Sequence, residues 1–254
     1  MSTLSSPWPD GCQGAVSLSF DDGLVSQLEI AVPMLNDHGF QGTFYVNPHE
    51  DYAEQLAPWQ APAAAGHEIG NHTVSHPCSL NFDFVRAAGR LALEQMSLDD
   101  MEREILEAAR RLDDAFPDQG TVSFGYPCYQ PFVGQGLTRQ SYVPLVARHC
   151  VAGRGRGERH NHPRYCDLAY LWSVPCERMT GAQLVGLAEQ AAAQGMWAVL
   201  TFHGVNQSHL PIGDGDLAEL CGFLARQRER IWTAPVAAVA RQVTAWRAML
   251  ASPA

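Results

Sequence analysis

Three short segments of the chain carry carboxylates and imidazoles that could do hydrolytic chemistry together. SFDDG contains Asp21 and Asp22, HTVSH contains His72 and His76, and LTFHG contains His203. A metal ion that activates water for attack on an acyl group needs a few nitrogen or oxygen ligands on one side and open positions on the other. Each segment alone is weak support for such a site, because paired histidines and Asp-Gly turns are common. Their combination predicts a metal-dependent hydrolytic centre.

The spacing within the segments suggests how they could share one site. His72 and His76 stand four residues apart, which would put both imidazoles on one side of a single helical turn. Successive strand residues face opposite sides, so Asp21 and Asp22 can address one site only where a strand ends or bulges, and Gly23 permits that turn. One carboxylate could then hold the ion while the other takes a proton. The alternative for the pair is an Asp-Gly turn that caps the following helix.

These residues follow short apolar runs that alternate with helical patterns, and the order predicts one β/α barrel. The predicted strands are Ala15–Phe20, Gly42–Val46, Glu68–Asn71, Val122–Tyr126, Val151–Gly153, Leu171–Val174, Trp197–Phe202 and Ile231–Trp232. Capping boxes at Ser97 with Asp100 and at Thr180 with Gln183 mark two helix starts. Because strand ends meet at the C-terminal mouth of such a barrel, the chemistry is expected there. No linker or repeat divides the chain, so residues 1–254 are expected to form a single domain.

With these motifs in place, the chain resembles the polysaccharide deacetylase family, carbohydrate esterase family 4, over residues 15–245. The resemblance implies a deformed barrel of seven or eight β/α units. SFDDG resembles the first family motif, which implies that Asp21 is the general base and Asp22 a metal ligand. HTVSH matches the second motif, which implies metal ligation by His72 and His76. Zinc is the expected ion, and iron, cobalt, nickel or manganese would also suit such ligands.

The resemblance extends to the other two segments of the expected site. FGYPCY stands at the third motif, where a backbone N–H after the proline helps to hold the oxyanion, so the role implied for Cys128 belongs to its backbone. LTFHG resembles the last motif, which implies that His203 is the general acid. No fourth motif is visible, so nothing in the sequence assigns the residue that orients His203.

The third motif departs from the family pattern at Gly125, where many members have an arginine that pairs with the catalytic base. A carboxylate without its cation should bind its proton more tightly, so Asp21 would need a substitute cation or a higher working pH. The segment around residues 147–164 contains Arg148, Arg154, Arg156, Arg159 and Arg164. The preferred interpretation is a solvated basic loop. The alternatives are that one arginine reaches Asp21 or that the loop receives an anionic substrate.

Aromatic residues near the predicted strand ends are candidates for stacking on a sugar ring. Tyr126, Tyr129 and Trp172 are the predicted substrate-binding residues, with Trp59 and Phe132 as further candidates. For any one of them, burial in the core is the alternative.

The composition narrows the partners and the chemistry. The formal net charge of −10 argues against nucleic-acid binding. All 17 basic residues are arginine, which excludes lysine-based Schiff-base and P-loop chemistry. Seven scattered cysteines without a CxxC pair predict free thiols in a reducing compartment. Neither a membrane span nor a signal peptide is visible, so a cytoplasmic location is expected, with secretion after signal removal as the alternative. The oligomeric state stays open.

These inferences converge on a metal-dependent hydrolase that removes N-acetyl groups, or less favourably O-acetyl groups, from a saccharide or glycoconjugate and releases acetate. Two alternatives keep the same fold. One is an amidohydrolase of small ureide-type amides, and the other is a non-catalytic sugar-binding relative.

Overall fold

The computed structural model describes residues 6–251, and short strands and helices alternate along this range. The strands are β1 (Gly14–Asp21), β2 (Thr43–Val46), β3 (Glu68–Asn71), β4 (Phe124–Gly125), β5 (Phe132–Val133), β6 (Gln140–Ser141), β7 (Gly153–Arg154), β8 (Val174–Pro175), β9 (Trp197–Phe202), β10 (Gly204–Val205), β11 (Pro211–Ile212) and β12 (Ile231–Thr233). The α-helices are α1 (Val32–Asp37), α2 (Tyr52–Leu56), α3 (Gln60–Ala64), α4 (Asp83–Ala88), α5 (Leu98–Ala115), α6 (Val143–His149), α7 (Gly181–Ala193), α8 (Asp214–Arg226) and α9 (Val236–Ala251).

The main sheet is entirely parallel and curls into a deformed barrel, as predicted. Its strand order is β7-β4-β3-β2-β1-β9-β8, and β12 pairs with the start of β1 on the edge that β2 uses further along. The ring closes through the residues before β8: Leu171 N–H donates to Gly153 C=O at 2.6 Å, and Gly155 N–H donates to Leu171 C=O at 2.9 Å. Several strands are only two residues long, so the barrel is irregular on that side.

Side-chain alternation in β1 separates an apolar outer layer from a polar interior. Val16, Leu18 and Phe20 are fully buried in the core between the strands and the helices. Ser17 and Ser19 face inward, where Ser17 Oγ donates to Ala234 C=O at 2.8 Å and Ser19 Oγ donates to Leu200 C=O at 3.0 Å. The same alternation makes Asp21 the last inward residue of the strand.

Both predicted capping boxes are confirmed. Ser97 Oγ accepts a bond from Asp100 N–H at 3.2 Å and starts α5, and Thr180 Oγ1 accepts from Gln183 N–H at 3.3 Å and starts α7. Each cap supplies a partner for an N–H group that the first turn of a helix leaves unpaired.

Within residues 6–251, no helix is both long enough and apolar enough to cross a membrane.

Candidate active site

Asp22, His72 and His76 meet at the C-terminal mouth of the barrel with their donor atoms facing one another. Asp22 Oδ1 lies 3.7 Å from His72 Nε2 and 3.5 Å from His76 Nε2. One donor atom from each of the three lies within 4.8 Å of the others. A tetrahedral ion with ligands at about 2.0–2.1 Å separates such donors by about 3.4 Å. The three residues therefore fit a divalent cation that takes two imidazoles and one carboxylate.

The backbone at Asp22 and at His76 is left-handed, and this geometry turns both side chains toward the site. Asp22 has φ 75° and His76 has φ 51°, which is uncommon for residues other than glycine. The HTVSH segment is not the helical turn that its spacing predicted. Thr73 also has a positive φ, and its N–H donates to Asn71 Oδ1 at 2.9 Å instead of continuing a helix. Glu104 of α5 accepts bonds from two further backbone N–H groups of the segment, at positions 74 and 75.

His72 and His76 can each present the lone pair of a neutral ring nitrogen to a metal ion. His72 Nδ1 lies 2.7 Å from Gly125 C=O, and a bond to a carbonyl requires the hydrogen on Nδ1, which leaves Nε2 free to face Asp22. Burial lowers the pKa of His72 to about 4, although Asp21 opposes that shift. Burial also lowers the pKa of His76. The two imidazoles are thus neutral near pH 7, the form that binds metal ions.

Asp21 is paired with a buried arginine that the sequence did not assign to it. Arg154 Nη2 donates to both carboxylate oxygens of Asp21, at 2.6 and 2.7 Å, and the Arg154 side chain is fully buried. Burial alone would raise the pKa of Asp21, but Arg154, together with His72 and His203, more than offsets burial and holds that pKa below its ordinary value. For Arg154, the preferred prediction of a solvated loop residue was therefore wrong. The alternative, that one arginine of this segment reaches Asp21, is the arrangement that the structure has.

The place of Arg154 is explained by the neighbouring strand. Gly125 of β4 and Arg154 of β7 are register partners, so both point into the barrel at the same level. A Cβ added to Gly125 would lie 2.8 Å from Arg154 Nη2 and 2.9 Å from the Tyr45 ring. The glycine therefore leaves the space that the guanidinium occupies. The Arg154 guanidinium also lies over the Tyr45 and Tyr129 rings, at 5.0 and 5.2 Å from their centroids.

His203 follows β9 and faces Asp21 across the mouth. Its Nε2 lies 3.9 Å from Asp21 Oδ2, while its Nδ1 is buried and makes no hydrogen bond to any of residues 6–251. Gln27, which sequence reasoning missed, donates from its side-chain amide to the backbone carbonyls of Asp21 and His203. It lies in a one-turn π-helix, Gln27–Ala31, that leads into α1. Nothing in its sequence context marks this role, because it depends on the π-turn.

Cys128 lies close to His76 and is cross-linked to the segment that follows β3. Its φ of 51° turns the chain sharply within the 3-10 turn Pro127–Tyr129. A disulfide joins it to Cys78, with a Cα–Cα distance of 5.9 Å across 50 residues of sequence. The prediction that all seven cysteines are free thiols was therefore wrong for this pair, because the segments after β3 and β4 converge at the mouth. The other five are free, namely Cys12, Cys150, Cys166, Cys176 and Cys221.

The predicted sugar-binding aromatics divide between the core and a groove. Tyr126 is fully buried in a core cluster, and its hydroxyl donates to Ala169 C=O at 2.7 Å, so its assignment as a substrate-binding residue was wrong. Alternation in β4 points Gly125 inward and Tyr126 outward. Trp59 is also buried. Tyr129 and Trp172 line a groove of 1280 Å³, which Cys128 also lines.

Two residues that line the groove each have a buried polar atom without a partner among residues 6–251. The Tyr129 hydroxyl and Glu177 Oε2 are both inaccessible to solvent and make no hydrogen bond to residues 6–251. Glu177 comes shortly after β8, and Cys176 N–H still donates to Thr201 C=O at 2.9 Å, so Glu177 leaves the sheet next to the end of β9. Arg156 and Arg159 are exposed on the same groove.

The fold and these residues define a β/α-barrel protein with a candidate metal centre and a neighbouring carboxylate and histidine, Asp21 and His203, at its C-terminal mouth. Residues 9–130 match the family model described as polysaccharide deacetylase. The resemblance carried by the motifs is confirmed over these residues, which include SFDDG, HTVSH and FGYPCY.

Curated relatives match over short segments. A chitin deacetylase from Arthroderma benhamiae is 30% identical over 102 residues, which are 38% of this chain and 26% of the relative. A gellan lyase from a Bacillus species is 33% identical over 69 residues, which are 27% of this chain and 3% of the relative. The chain thus spans a minor part of each curated relative.

Solved structures match over most of the chain. A candidate polysaccharide deacetylase from Mycobacterium smegmatis has a TM-score of 0.60 at 17% identity and covers 99% of this chain and 96% of its own. The peptidoglycan deacetylase PdaC from Bacillus subtilis has a TM-score of 0.56 at 15% identity, with 94% and 95% covered. A family 4 pseudoenzyme from Bacillus anthracis has a TM-score of 0.54 at 13% identity, with 89% and 65% covered. At these identities the structures establish the shared fold.

Proposed function

We propose that the protein is a metal-dependent hydrolase that removes N-acetyl groups from a saccharide or glycoconjugate and releases acetate. The observation that carries the proposal is the convergence of the Asp22–His72–His76 set with a buried, ionised Asp21 and with His203 at one mouth. The peptidoglycan and chitin deacetylases among the relatives support a saccharide substrate.

Asp21 and His203 suit the two proton transfers of amide hydrolysis. Arg154 keeps Asp21 ionised, so its carboxylate can accept a proton from the attacking water. His203 Nε2, 3.9 Å from Asp21 Oδ2, is close enough to protonate the departing nitrogen within the same small volume. The free sugar amine and acetate are then the products.

Asp22, His72 and His76 would hold the ion, with zinc the preferred metal for two imidazoles and one carboxylate. When bound, the ion supplies Lewis-acid activation of water and of the acyl oxygen. The Cys128 N–H, in the loop beside these ligands, is the proposed protein donor to the oxyanion of the tetrahedral intermediate.

The groove beside Cys128 is the proposed binding site for the sugar. Trp172, 43% exposed, offers an apolar face. Arg156 and Arg159, which are exposed on the same groove, offer N–H donors to sugar hydroxyls. The non-catalytic alternative rested on the missing third-motif arginine and on the unseen fourth motif, and the pairing of Arg154 with Asp21 removes the first of these.

A screen for acetate release tests the proposal. Metal-free protein would be reloaded with Zn²⁺, Co²⁺, Ni²⁺ or Mn²⁺ and assayed on N- and O-acetylated mono- and oligosaccharides, beside a ureide. We expect acetate from at least one N-acetylated sugar, only with metal, and no ureide opening.

His72→Ala is the matched variant, because it removes one ligand that also bonds to Gly125. It should lose stoichiometric metal and acetate release together. Acetate release at the wild-type rate without bound metal would overturn the proposal, and so would ureide opening without acetate release.

A further inference from the structure

We propose that reduction of the Cys78–Cys128 disulfide creates a second metal site, for a soft or borderline cation, formed by the two thiolates and His76 Nδ1. One donor atom each from His76, Cys78 and Cys128 lies within 4.8 Å of the others. This group uses the Nδ1 side of His76, away from Asp22; its thiolate signature does not depend on deacetylase activity, whereas its competition for His76 rests on the proposed Asp22–His72–His76 site.

The distances already approach those of a tetrahedral thiolate site. Cys78 Sγ lies 3.6 Å from His76 Nδ1, and an ion with bonds of about 2.3 Å to sulfur and about 2.0 Å to nitrogen separates such donors by about 3.5 Å. In the disulfide the two sulfurs are bonded to each other. Once the bond is broken, van der Waals repulsion drives them toward about 3.7 Å, close to the separation that two thiolates have on one tetrahedral ion.

The disulfide is open to a reductant from the groove. Cys128 is partly exposed and lines the 1280 Å³ groove, whereas Cys78 is buried. A thiolate of a small dithiol can attack Cys128 Sγ, which breaks the S–S bond and leaves the electron pair on Cys78 Sγ. The second thiol of the reductant then displaces Cys128. The protein gains two electrons and two protons, and the dithiol becomes a cyclic disulfide.

The His76 ring would link the new site to the proposed catalytic ion. Its Nε2 faces Asp22 at 3.5 Å and its Nδ1 faces Cys78 at 3.6 Å. A neutral imidazole has a lone pair on only one ring nitrogen. An ion on Nδ1 therefore takes His76 away from an ion on Nε2, and thiolate ligands favour softer metals for the new site.

Cobalt titration of the oxidised and reduced protein tests this proposal, because thiolate ligands give Co²⁺ an intense charge-transfer absorption that imidazole and carboxylate do not. The chain would be reduced with dithiothreitol, freed of reductant by anaerobic gel filtration and titrated with Co²⁺. We expect one equivalent bound in both forms, with the thiolate band in the reduced form alone.

Cys78→Ala and Cys150→Ala are the matched variants, since both remove a thiol but only Cys78 belongs to the group. The band should be absent from reduced Cys78→Ala and unchanged in reduced Cys150→Ala. Reduced wild-type protein without a thiolate band would overturn the site, and a band that survives in Cys78→Ala would do the same. A second bound equivalent with the band would support the site and overturn the competition for His76.

Discussion

Asp21 is a buried carboxylate, and a buried carboxylate stays ionised only when a cation or strong donors compensate for lost hydration. Arg154 does this with one nitrogen that reaches both oxygens. The cation comes from β7, while the adjacent β4 has Gly125 at the same level. Asp21 therefore stays ionised, although its arginine partner lies on a different strand from the one that the family pattern implies.

Replacement of Arg154 by alanine should move the acid limb of the pH profile. In the wild-type protein the base works above a pKa that Arg154 holds below its ordinary value. Without the cation, burial dominates and raises the pKa of Asp21, so activity should begin to fall at a higher pH than in the wild type. The measurement is kcat/KM for acetate release as a function of pH. Loss of one partner of a buried pair should also cost about 3–5 kcal/mol of unfolding free energy.

Arg148→Ala is the control, because Arg148 is an exposed arginine that pairs with Glu102 away from the barrel mouth. Its acid limb and stability should match those of the wild type. An Arg154→Ala limb at the wild-type pH would contradict the role of Arg154 in keeping Asp21 ionised.

Gly125→Ala should destabilise the fold although it adds only one methyl group. The new Cβ would lie 2.8 Å from Arg154 Nη2 and 3.0 Å from His72 Nδ1, and both groups are held by hydrogen bonds. We expect a loss of about 1–3 kcal/mol in urea unfolding. Gly186→Ala is the opposite case, since nothing lies within 4 Å of the added Cβ in α7. It should stabilise the protein by about 0.5–1 kcal/mol, and equal effects at the two positions would contradict this account.

At the scale of elements, the segments after β3 and β4 act as one unit. The disulfide joins them, and Ser79 N–H donates to Gln130 Oε1 at 2.9 Å beside it. The first segment contains His76, a proposed metal ligand, and the second contains the Cys128 N–H. Their cross-link therefore fixes the proposed ligand relative to the proposed oxyanion donor.

Loss of the cross-link should lower stability measurably. Cys78 and Cys128 are 50 residues apart, and closing a loop of that length in the unfolded chain corresponds to about 4 kcal/mol in the chain-entropy model. Urea unfolding with and without a dithiol measures this difference. The wild type should be less stable when reduced, and Cys78→Ala should not respond to the dithiol. Equal stability of oxidised and reduced wild type would contradict the disulfide.

Sequence patterns predicted the elements well where periodicity is strong. Glu68–Asn71 and Trp197–Phe202 were predicted with the bounds that the structure has, and both capping boxes form. The two-residue strands β4 and β7 were placed but overextended or shifted. In strands of two residues, pairing with the neighbouring strands of the sheet determines where the strand begins and ends more than the local sequence pattern does.

The sequence predicted some parts of the site and missed others. Asp22, His72 and His76 were brought together as expected, because motif residues at strand ends share one mouth. The bond between Arg154 and Asp21 depends on a register match between strands, the disulfide on the convergence of two loops, and the inward amide of Gln27 on a π-turn. None of these has a local signature. Tyr126 directly follows β4. Because successive side chains alternate and that of Gly125 points inward, the sequence could have predicted that the Tyr126 side chain points outward.

At the scale of the whole molecule, closure of the barrel brings the residues of the site together. Asp21, His72, Arg154 and His203 are separated by up to 182 residues in sequence, yet each follows or ends a strand of the same parallel ring. Cys128 and Trp172 both line the neighbouring groove. In the proposed function, the acyl group would reach Asp21 and His203 while the rest of a saccharide lies outside the mouth.

The most direct test of the central claim is Asp21→Asn, assayed for bound metal and for acetate release on the same sample. The amide is nearly isosteric but cannot take the proton from water. The account predicts stoichiometric metal at the wild-type level and loss of turnover by at least about 100-fold. Loss of the ion would assign Asp21 to the metal instead, and wild-type turnover in this variant would contradict its role as the base.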